Sequence, residues 1–318
     1  MKVFVTGGTG FIGSQFVIKL LEKRKNVIIY DAFPNMDLLG NYAKYVEIIR
    51  GDLLDRDNFE QTARDHKPDM IVHLAAYRNR ESQERPMSAY KLNCEGTMNV
   101  LEVGRLLKIE RIVYASSVAI YGPPNYYRSL GFDSHRLTEK APPNPNNAYG
   151  ITKLFNEGMA KQYNDLYCMD TIGLRFAIVY GPGKKSGSQT SLFNDVIEGA
   201  LEGKSVTIDS FGDQVINLLY VKDAAHALIC ACFAASPRNL VFNIGGSLCT
   251  SRDLINVTSE IIPGACLKIQ DTKEERAVAS AIDSTLAKEE LGYEAQFDLR
   301  HAIKDYKEIW WRKIKGSP

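Results

Sequence analysis

The sequence predicts an α/β protein, with a parallel sheet covered by helices on both faces and a smaller C-terminal substrate-binding region. Short apolar segments of strand length alternate with longer amphipathic segments through the first half of the 318-residue chain. This alternation is typical of parallel strands that helices connect. The glycine-rich segment Thr6–Gly13 follows the first apolar segment and opens the first helical one. Beyond residue 180 the alternation weakens, which predicts a smaller and less regular region there.

The elements of the first half follow one another at regular intervals. The predicted strands are Val3–Thr6, Val27–Asp31, Tyr45–Arg50, Met70–Leu74, Arg111–Ala115 and Thr171–Phe176. Helical spacing of apolar residues predicts helices over Gly10–Lys23, Asp55–His66, Pro86–Leu107 and Asn147–Tyr167. In the second half the predicted helices are Leu192–Leu201, Ser251–Ile262 and Leu299–Ile314, and the predicted strands are Val215–Tyr220 and Val241–Ile244.

We divide the chain into two regions on this basis. Residues 1–177 are predicted to form a dinucleotide-binding domain, to which residues 214–244 return. Residues 178–213 and 245–318 are predicted to form the substrate-binding region.

The composition is that of an ordinary soluble globular protein, with 45% hydrophobic and 24% charged residues. The net charge of +1 gives no electrostatic attraction to nucleic acid or to a membrane surface. The longest apolar runs have only strand length, which argues against a membrane span. The six cysteines form no CxxC pair and no metal-site spacing with the five histidines. We therefore expect reduced thiols, a cytoplasmic location, no metal and a small-molecule substrate.

The glycine-rich segment has the spacing of a dinucleotide site. It can be written Gly8-x-Gly10-x-x-Gly13 or Gly7-x-x-Gly10-x-x-Gly13, and it lies between a predicted strand and a predicted helix. Glycines in that position let the backbone approach a pyrophosphate, whose charge lies at the positive end of the helix. Asp31 ends the second predicted strand, where a carboxylate accepts hydrogen bonds from a ribose diol and repels a 2′-phosphate. Ala32 and Phe33 follow it without a cation, so we predict NAD rather than NADP.

Tyr149 and Lys153 are the candidate proton-transfer residues. Four residues apart on a predicted helix, their side chains share one face. A phenol titrates near pH ~10, but a nearby ammonium and an oxidised nicotinamide favour its phenolate form and lower the pKa. Such a phenolate removes the proton of an alcohol while a hydride leaves the same carbon. Ser116 and Ser117 end the fifth predicted strand, where a hydroxyl can bind the substrate oxygen.

Taken in their order along the chain, these motifs and several others resemble those of the extended short-chain dehydrogenase/reductase superfamily, specifically its NAD-dependent epimerase/dehydratase family. The matching motifs are the glycine pattern, Asp31, Gly51-Asp52-Leu53, His73-Leu-Ala-Ala, Asn93, Ser116-Ser117 with Tyr121-Gly122, and Tyr149-x-x-x-Lys153. The resemblance covers nearly the whole chain and implies a Rossmann-type doubly wound sheet. It also implies a homodimer packed through Pro86–Leu107 and Asn147–Tyr167.

The resemblance implies specific roles for individual residues. Tyr149 is the expected base, Lys153 holds the nicotinamide ribose and tunes Tyr149, and Ser117 is the hydroxyl partner. The Gly51–Leu53 segment brackets an adenine ring or is a plain turn, and the residues alone leave both interpretations open. The cofactor-binding residues that the resemblance implies are Gly7, Gly10, Phe11, Ile12, Gly13, Asp31, Asp52, Leu53, Leu74, Ala75, Ala76, Asn93, Ser116, Tyr149 and Lys153.

Two departures from the family pattern concern the reaction and the substrate. Val118 and Ala119 stand where family dehydratases have an acidic pair, and neither side chain transfers protons. Ile178 and Ile216 stand where nucleotide-sugar epimerases usually have an Asn and an Arg that contact the diphosphate. A dehydratase is therefore disfavoured, and the usual contacts to a nucleotide diphosphate are missing.

The predicted substrate-binding residues are Arg78, Ser117, Tyr149 and Ile178. Arg78, with Arg80 and Arg85 in the same segment, could bind a carboxylate or phosphate of an anionic substrate. The alternative is a solvated, charge-mixed segment with Glu81 and Glu84.

Three functions follow from these observations. The leading one is an NAD-dependent epimerase that acts on a secondary hydroxyl of a sugar or nucleotide sugar through a transient ketone. The alternative is an NAD-dependent dehydrogenase of a smaller polyol, hydroxy acid or hydroxy amino acid. A non-catalytic dinucleotide-sensing scaffold is disfavoured, because Ser117, Tyr149 and Lys153 are all present.

Overall fold

The structure, a computed structural model, describes residues 1–134, 136–184, 192–210, 214–272 and 281–315. The strands in these ranges are β1 (Lys2–Thr6), β2 (Asn26–Asp31), β3 (Glu47–Arg50), β4 (Met70–His73), β5 (Arg111–Ser117), β6 (Thr171–Phe176), β7 (Ile178–Tyr180), β8 (Ser205–Ser210), β9 (Ile216–Tyr220), β10 (Val241–Ile244), β11 (Ser247–Cys249) and β12 (Cys266–Asp271). The six strands predicted in the first half are present, with ends within two residues of the prediction.

The helices in the same ranges follow the strands in alternation through the first half. They are α1 (Phe11–Glu22), α2 (Arg56–His66), α3 (Asn79–Glu84), α4 (Pro86–Tyr90), α5 (Gly96–Leu107), α6 (Pro124–Ser129), α7 (Ala148–Tyr167), α8 (Leu192–Leu201), α9 (Val221–Phe233), α10 (Ser251–Ile261), α11 (Thr285–Leu291) and α12 (Leu299–Lys315).

Seven strands form one parallel sheet in the order β10-β6-β5-β4-β1-β2-β3. Side chains alternate between its two faces, as in any strand. Val3 and Val5 lie in one apolar cluster with α1 and α9, whereas Phe4 lies in a second cluster with α2, α5 and α7. Burial on both faces is why these strands are almost wholly apolar. The predicted α/β fold with a doubly wound parallel sheet is confirmed.

The remaining strands form two small sheets. Their orders are β11-β9-β7 and β12-β8, and they share a third apolar cluster with α8, α10 and α12. In the segment predicted to return to the large sheet, β10 pairs with β6 and α9 packs against α1, whereas β9 pairs with β7 and β11. The division of the chain into two domains stays a prediction.

The helix predicted over residues 86–107 is not uniform. It consists of α4, a π-helical segment Lys91–Glu95 and α5. A π-helical turn accommodates an extra residue and is frequent at functional sites. Here it contains Asn93, whose role is described below.

Within the described ranges, no helix combines the length and apolar character that crossing a bilayer requires. The same residues bring together no group of three or more His, Cys, Asp or Glu side chains that would hold a metal ion.

Candidate functional site

A cleft of about 1400 Å³ opens at the carboxyl ends of the parallel strands, where open α/β sheets bind ligands. Most of the predicted site residues line it. They are Gly7, Gly10, Phe11, Ile12, Gly13, Asp31, Asp52, Leu53, Leu74, Ala75, Ala76, Arg78, Ser116, Ser117, Tyr149, Lys153 and Ile178. Of the predicted set, all of which the structure describes, Asn93 does not line the cleft.

The glycine-rich turn at one end of the cleft brings bare backbone to its wall. Gly7 has a φ of +70°, which a residue with a side chain rarely adopts. A Cβ on Gly13 would overlap the carbonyl oxygen of Gly7. Gly10 precedes α1 without a side-chain cap, so the first N–H groups of α1 have no side chain to satisfy them and remain open to an anion. This cradle fits the pyrophosphate of a dinucleotide.

Asp31 is held rigidly beside this turn. Its Oδ2 accepts hydrogen bonds from the Thr9 hydroxyl (2.6 Å) and the Thr9 N–H (3.3 Å). Its Oδ1 accepts from the Phe33 N–H at 3.1 Å. The cleft residues that follow it in the described chain are Ala32, Phe33 and Asn35, none of them cationic. A fixed carboxylate with no cation beside it fits a ribose diol and disfavours a 2′-phosphate.

Asp52 and Leu53 line the cleft after β3. Gly51 before them lies against the Tyr30 ring, with no room for a side chain. The Tyr30 hydroxyl donates to the Asn58 side-chain oxygen (2.8 Å) and to the Asp52 carbonyl (3.2 Å), which fixes this segment.

Ser117, Tyr149 and Lys153 meet in the middle of the cleft. The Ser117 hydroxyl lies close enough to Tyr149 to favour its phenolate form. Ser117 Oγ also accepts from the Ala119 N–H at 3.1 Å. Lys153 Nζ lies 5.6 Å from the centre of the Tyr149 ring and donates to the Ala115 carbonyl at 2.7 Å. The arrangement brings two hydroxyls and an ammonium together, which is the set required to move a proton to or from an alcohol.

Burial dominates the protonation of this group. Loss of solvent raises the pKa of Tyr149 to about 12, against the opposing effects of the neighbouring Ser117 hydroxyl and the Arg78 charge. Burial also lowers the pKa of Lys153 to about 8. Arg78 is a second cation whose charge favours the Tyr149 phenolate, and the role of Lys153 in tuning Tyr149 stays a prediction.

The start of α7 fixes the position of Tyr149. The Asn147 side chain caps this helix by accepting a hydrogen bond from the Gly150 N–H at 2.9 Å. Gly150 lies directly against the Ala119 carbonyl, and a Cβ there would overlap that oxygen. The close approach brings the first turn of α7 onto the short 3-10 turn Val118–Ile120, which follows Ser117 at the end of β5.

Asn93 fixes part of the cleft wall through its hydrogen bonds. Its side-chain oxygen accepts from the Tyr77 N–H at 2.7 Å, and its amide donates to the Tyr77 carbonyl (3.0 Å) and the Thr152 hydroxyl (3.1 Å). It therefore holds the wall segment Leu74–Tyr77 against α7. His73, at the end of β4, is hydrogen-bonded between Thr6 (2.7 Å) and Thr97 (3.0 Å), and burial lowers its pKa to about 3.

The opposite end of the cleft is the candidate substrate end. Arg78 and Ile178 lie there, and Arg78 forms an ion pair with Glu81 at 2.7 Å. Arg80 pairs with Glu84 at 2.7 Å on exposed α3. Ile216 is buried in the core of the small sheets and does not line the cleft.

The sequence did not reveal several residues of this end. Asn79, Lys184 and Asp195 line the cleft. The Asn79 side-chain oxygen is buried without a hydrogen-bond partner among the described residues. No spacing in the sequence signals these residues, because the fold brings them together from separate loops and helices.

Comparison with known proteins agrees with this geometry. The sequence pattern of the NAD dependent epimerase/dehydratase family matches residues 3–245. A putative UDP-glucose 4-epimerase of Methanocaldococcus jannaschii is 32% identical over 305 residues, which cover 95% of this chain and 96% of that protein.

Two solved structures match nearly the whole chain. The UDP-glucose 4-epimerase of Thermus thermophilus in complex with NAD has a TM-score of 0.84 at 27% identity, with 100% of each chain covered. An L-threonine dehydrogenase from Clostridium difficile has a TM-score of 0.88 over 98% of each chain, but at 24% identity this likeness shows the fold alone. The chain therefore belongs to the NAD-dependent epimerase/dehydratase family of extended short-chain dehydrogenase/reductases, and its cofactor is NAD.

Proposed function

We propose that this protein is an epimerase that inverts a secondary hydroxyl of a sugar, specifically of a nucleotide sugar, through a transient ketone. The observation that carries the proposal is the grouping of Ser117, Tyr149 and Lys153 in the cleft that also contains the glycine-rich turn and Asp31. The nucleotide-sugar part rests on the relatives, because both a 32% identical protein and an NAD-bound structure are named as UDP-glucose 4-epimerases.

The residues act on the proton of the reacting hydroxyl. Tyr149 takes it as the base and returns it when the hydroxyl is re-formed. Ser117 hydrogen-bonds the substrate oxygen and orients it toward the Tyr149 hydroxyl. The Lys153 ammonium, held by the Ala115 carbonyl, supplies a positive charge beside the Tyr149 ring. The chemistry that NAD supplies when bound is the acceptance and return of a hydride.

The same site argues against water elimination. Elimination beside the ketone requires an acid and a base close to the catalytic hydroxyl. Val118 and Ala119 follow Ser117 and line the cleft, and neither can transfer a proton. We therefore do not propose a dehydratase.

A second candidate is a dehydrogenase of a small anionic alcohol. The observation that favours it is the substrate end of the cleft, where Ile178 offers no contact to a phosphate and Ile216 is absent from the lining. Arg78 provides positive charge there for a carboxylate, and Lys184, whose pKa burial lowers to about 7, adds to it only when protonated.

One experiment separates the two candidates. Purified protein is incubated with NAD and each of a panel of nucleotide sugars, hydroxy acids and hydroxy amino acids. Proton NMR follows the stereochemistry of the substrate, and near-ultraviolet absorbance follows NADH. Inversion without net NADH supports the epimerase, whereas NADH formed in equal amount to oxidised substrate supports the dehydrogenase. If neither is seen with any compound, both proposals fail.

A further inference from the structure

A buried ion pair lies directly behind the proton-transfer residues. Glu157 on α7 and Arg175 on β6 are both less than 9% exposed. The Arg175 guanidinium donates from Nε to Glu157 Oε1 at 2.9 Å and from Nη2 to Oε2 at 2.7 Å. This two-point geometry fixes orientation as well as distance.

The pair is connected to the cleft through Ser116. The Ser116 hydroxyl donates to Glu157 Oε1 at 2.5 Å. Ser116 also lines the cleft, and its expected contact with the cofactor stays a prediction. Ser116 lies between Ala115, whose carbonyl binds Lys153, and Ser117, whose hydroxyl lies beside Tyr149. A displacement of Ser116 therefore moves both contacts at once.

The sequence spacing places the pair on the working face of α7. Tyr149, Lys153 and Glu157 follow one another at intervals of four residues, so their side chains share one side of the helix. On the far side of the pair, Arg175 Nη1 donates to the Tyr121 hydroxyl at 2.8 Å, which in turn donates to Asn243 at 2.9 Å. The network thus joins α7 to β5, β6 and β10.

From this arrangement we infer that Glu157 and Arg175 are positioning residues, which hold the Ala115–Ser117 end of β5 in register with Tyr149 and Lys153. The inference rests on the proposed function, because it assumes that Tyr149 transfers the proton and that Lys153 stabilises the Tyr149 phenolate. Neither residue is among those that line the cleft, so they position the reacting groups through Ser116.

The pair also affects the charge state of Lys153. The groups around Lys153 are Tyr149 and Glu157 on its own helix, Cys94 on the π-helical segment, His73 on β4 and the Ala115 carbonyl on β5. His73 is neutral because burial lowers its pKa to about 3. The charge of Glu157 favours the ammonium form of Lys153 and opposes the effect of burial. Removing that charge should lower the pKa of Lys153 further.

The test uses Ser116→Ala and Glu157→Gln in the full chain. Ser116→Ala keeps the ion pair and removes its link to β5. We expect a modestly lower melting temperature, because one buried hydrogen bond is lost, and a kcat lower by about ten- to a hundredfold, with little change in KM. In Glu157→Gln we expect the Lys153 titration, followed by NMR of isotope-labelled lysine without added cofactor, to move down by about one pH unit. The alkaline limb of the pH–rate profile should move in the same direction.

The matched control is Asp165→Asn, which neutralises an exposed carboxylate on the same helix that pairs with Lys161. It should leave kcat and the Lys153 titration unchanged. A merely structural pair would lower the melting temperature of Glu157→Gln without moving the Lys153 titration, and that result would overturn the inference, as would full kcat in Ser116→Ala. If Glu157→Gln does not fold, the kcat of Ser116→Ala alone tests the inference.

The proposed function can fail separately. If no compound turns over, the Lys153 titration of Glu157→Gln decides the inference alone, because it requires no substrate. An unchanged Lys153 titration would then overturn the inference.

Discussion

In the proposed mechanism the Tyr149 hydroxyl group transfers the proton. Tyr149→Phe removes that group and leaves the ring in place, so kcat should fall by at least about a hundredfold while NAD affinity changes little. Steady-state kinetics and calorimetric titration with NAD measure the two quantities. Tyr167→Phe, the same change at an exposed position of α7, should leave both unchanged. Full turnover by Tyr149→Phe would show that another group is the base.

Lys153 should lower the free energy of unfolding, because its charge is buried in the folded state. It is 3% exposed, and burial lowers its pKa from 10.5 to about 8. Below pH ~8 the ammonium is charged in both states and the folded state bears a penalty of roughly 3 kcal/mol. As the pH rises from the folded to the unfolded pKa, the unfolded chain binds more protons and this penalty disappears.

Lys153→Met should therefore raise the free energy of unfolding by about 2 kcal/mol near neutral pH, after allowing for the lost hydrogen bond to Ala115. The gain should shrink towards zero above pH ~10. Urea denaturation at both pH values measures it, and kcat should fall in the same variant. Lys161→Met, on the exposed side of the same helix, is the control and should show no such gain. A variant less stable than wild type at neutral pH would contradict the burial argument.

At this scale the sequence identified residues whose chemistry is carried by local spacing. Tyr149 and Lys153 share a helix face, and Asp31 ends a strand beside the glycine turn, so their approach to the cleft followed from secondary structure alone. Glu157 continues the same four-residue spacing and could have been found by extending it. The contact between Asn93 and Tyr77 could not have been found, because it depends on a π-helical turn that no local pattern indicated.

Two glycines of helix α7 provide a test at the scale of one element. Gly150 lies against the Ala119 carbonyl, whereas Gly158 is exposed and has no atom within 4 Å of where a Cβ would be. Glycine within a helix costs about 0.5–1 kcal/mol relative to alanine. Gly158→Ala should therefore stabilise the protein by about that amount.

Gly150→Ala should do the opposite, because its methyl group would force the first turn of α7 away from β5. We expect it to lose at least about 1 kcal/mol of stability, together with most of its activity, since Tyr149 is the neighbouring residue. Thermal unfolding and kcat are measured for both variants. Equal stabilisation by the two substitutions would show that α7 does not depend on this close approach.

Elements were predictable where burial dictated their pattern. The large-sheet strands are apolar on both faces, and α8 matches its predicted bounds. The strands of the small sheets were harder to find. β7 and β11 have three residues each, and β12 is largely exposed, so their positions depend on partners distant in sequence. Breaks in α4–α5 were missed because the apolar pattern of residues 86–107 continues through the π-helical segment.

For the whole molecule, the outer side of α7 is the basis for expecting a homodimer. Opposite the Tyr149 face, Ile151 is 58% exposed and Phe155 is 41% exposed. Leu106 on α5 is also exposed. We expect two copies to bury these side chains against each other, because apolar surface that is removed from water favours association.

Ile151→Glu/Phe155→Glu should therefore shift a dimer to monomers, with a dissociation constant raised at least about a hundredfold, because the interface would bury unpaired charge. Light scattering after size-exclusion chromatography measures the mass. Leu248→Glu, which places the same charge at an exposed apolar site on β11, should leave the mass unchanged. A monomeric wild-type protein at micromolar concentration would remove the basis for this expectation.

The edge of the large sheet at β6 has a consequence for biosynthesis. Strand β10 covers that edge, but residues 177–240 separate the two strands in the chain. While the ribosome is still making that stretch, β6 has unpaired backbone groups on one side, which other chains can recruit as a template. A messenger truncated in this interval should yield a product that aggregates, and slow translation there should increase the demand for chaperones.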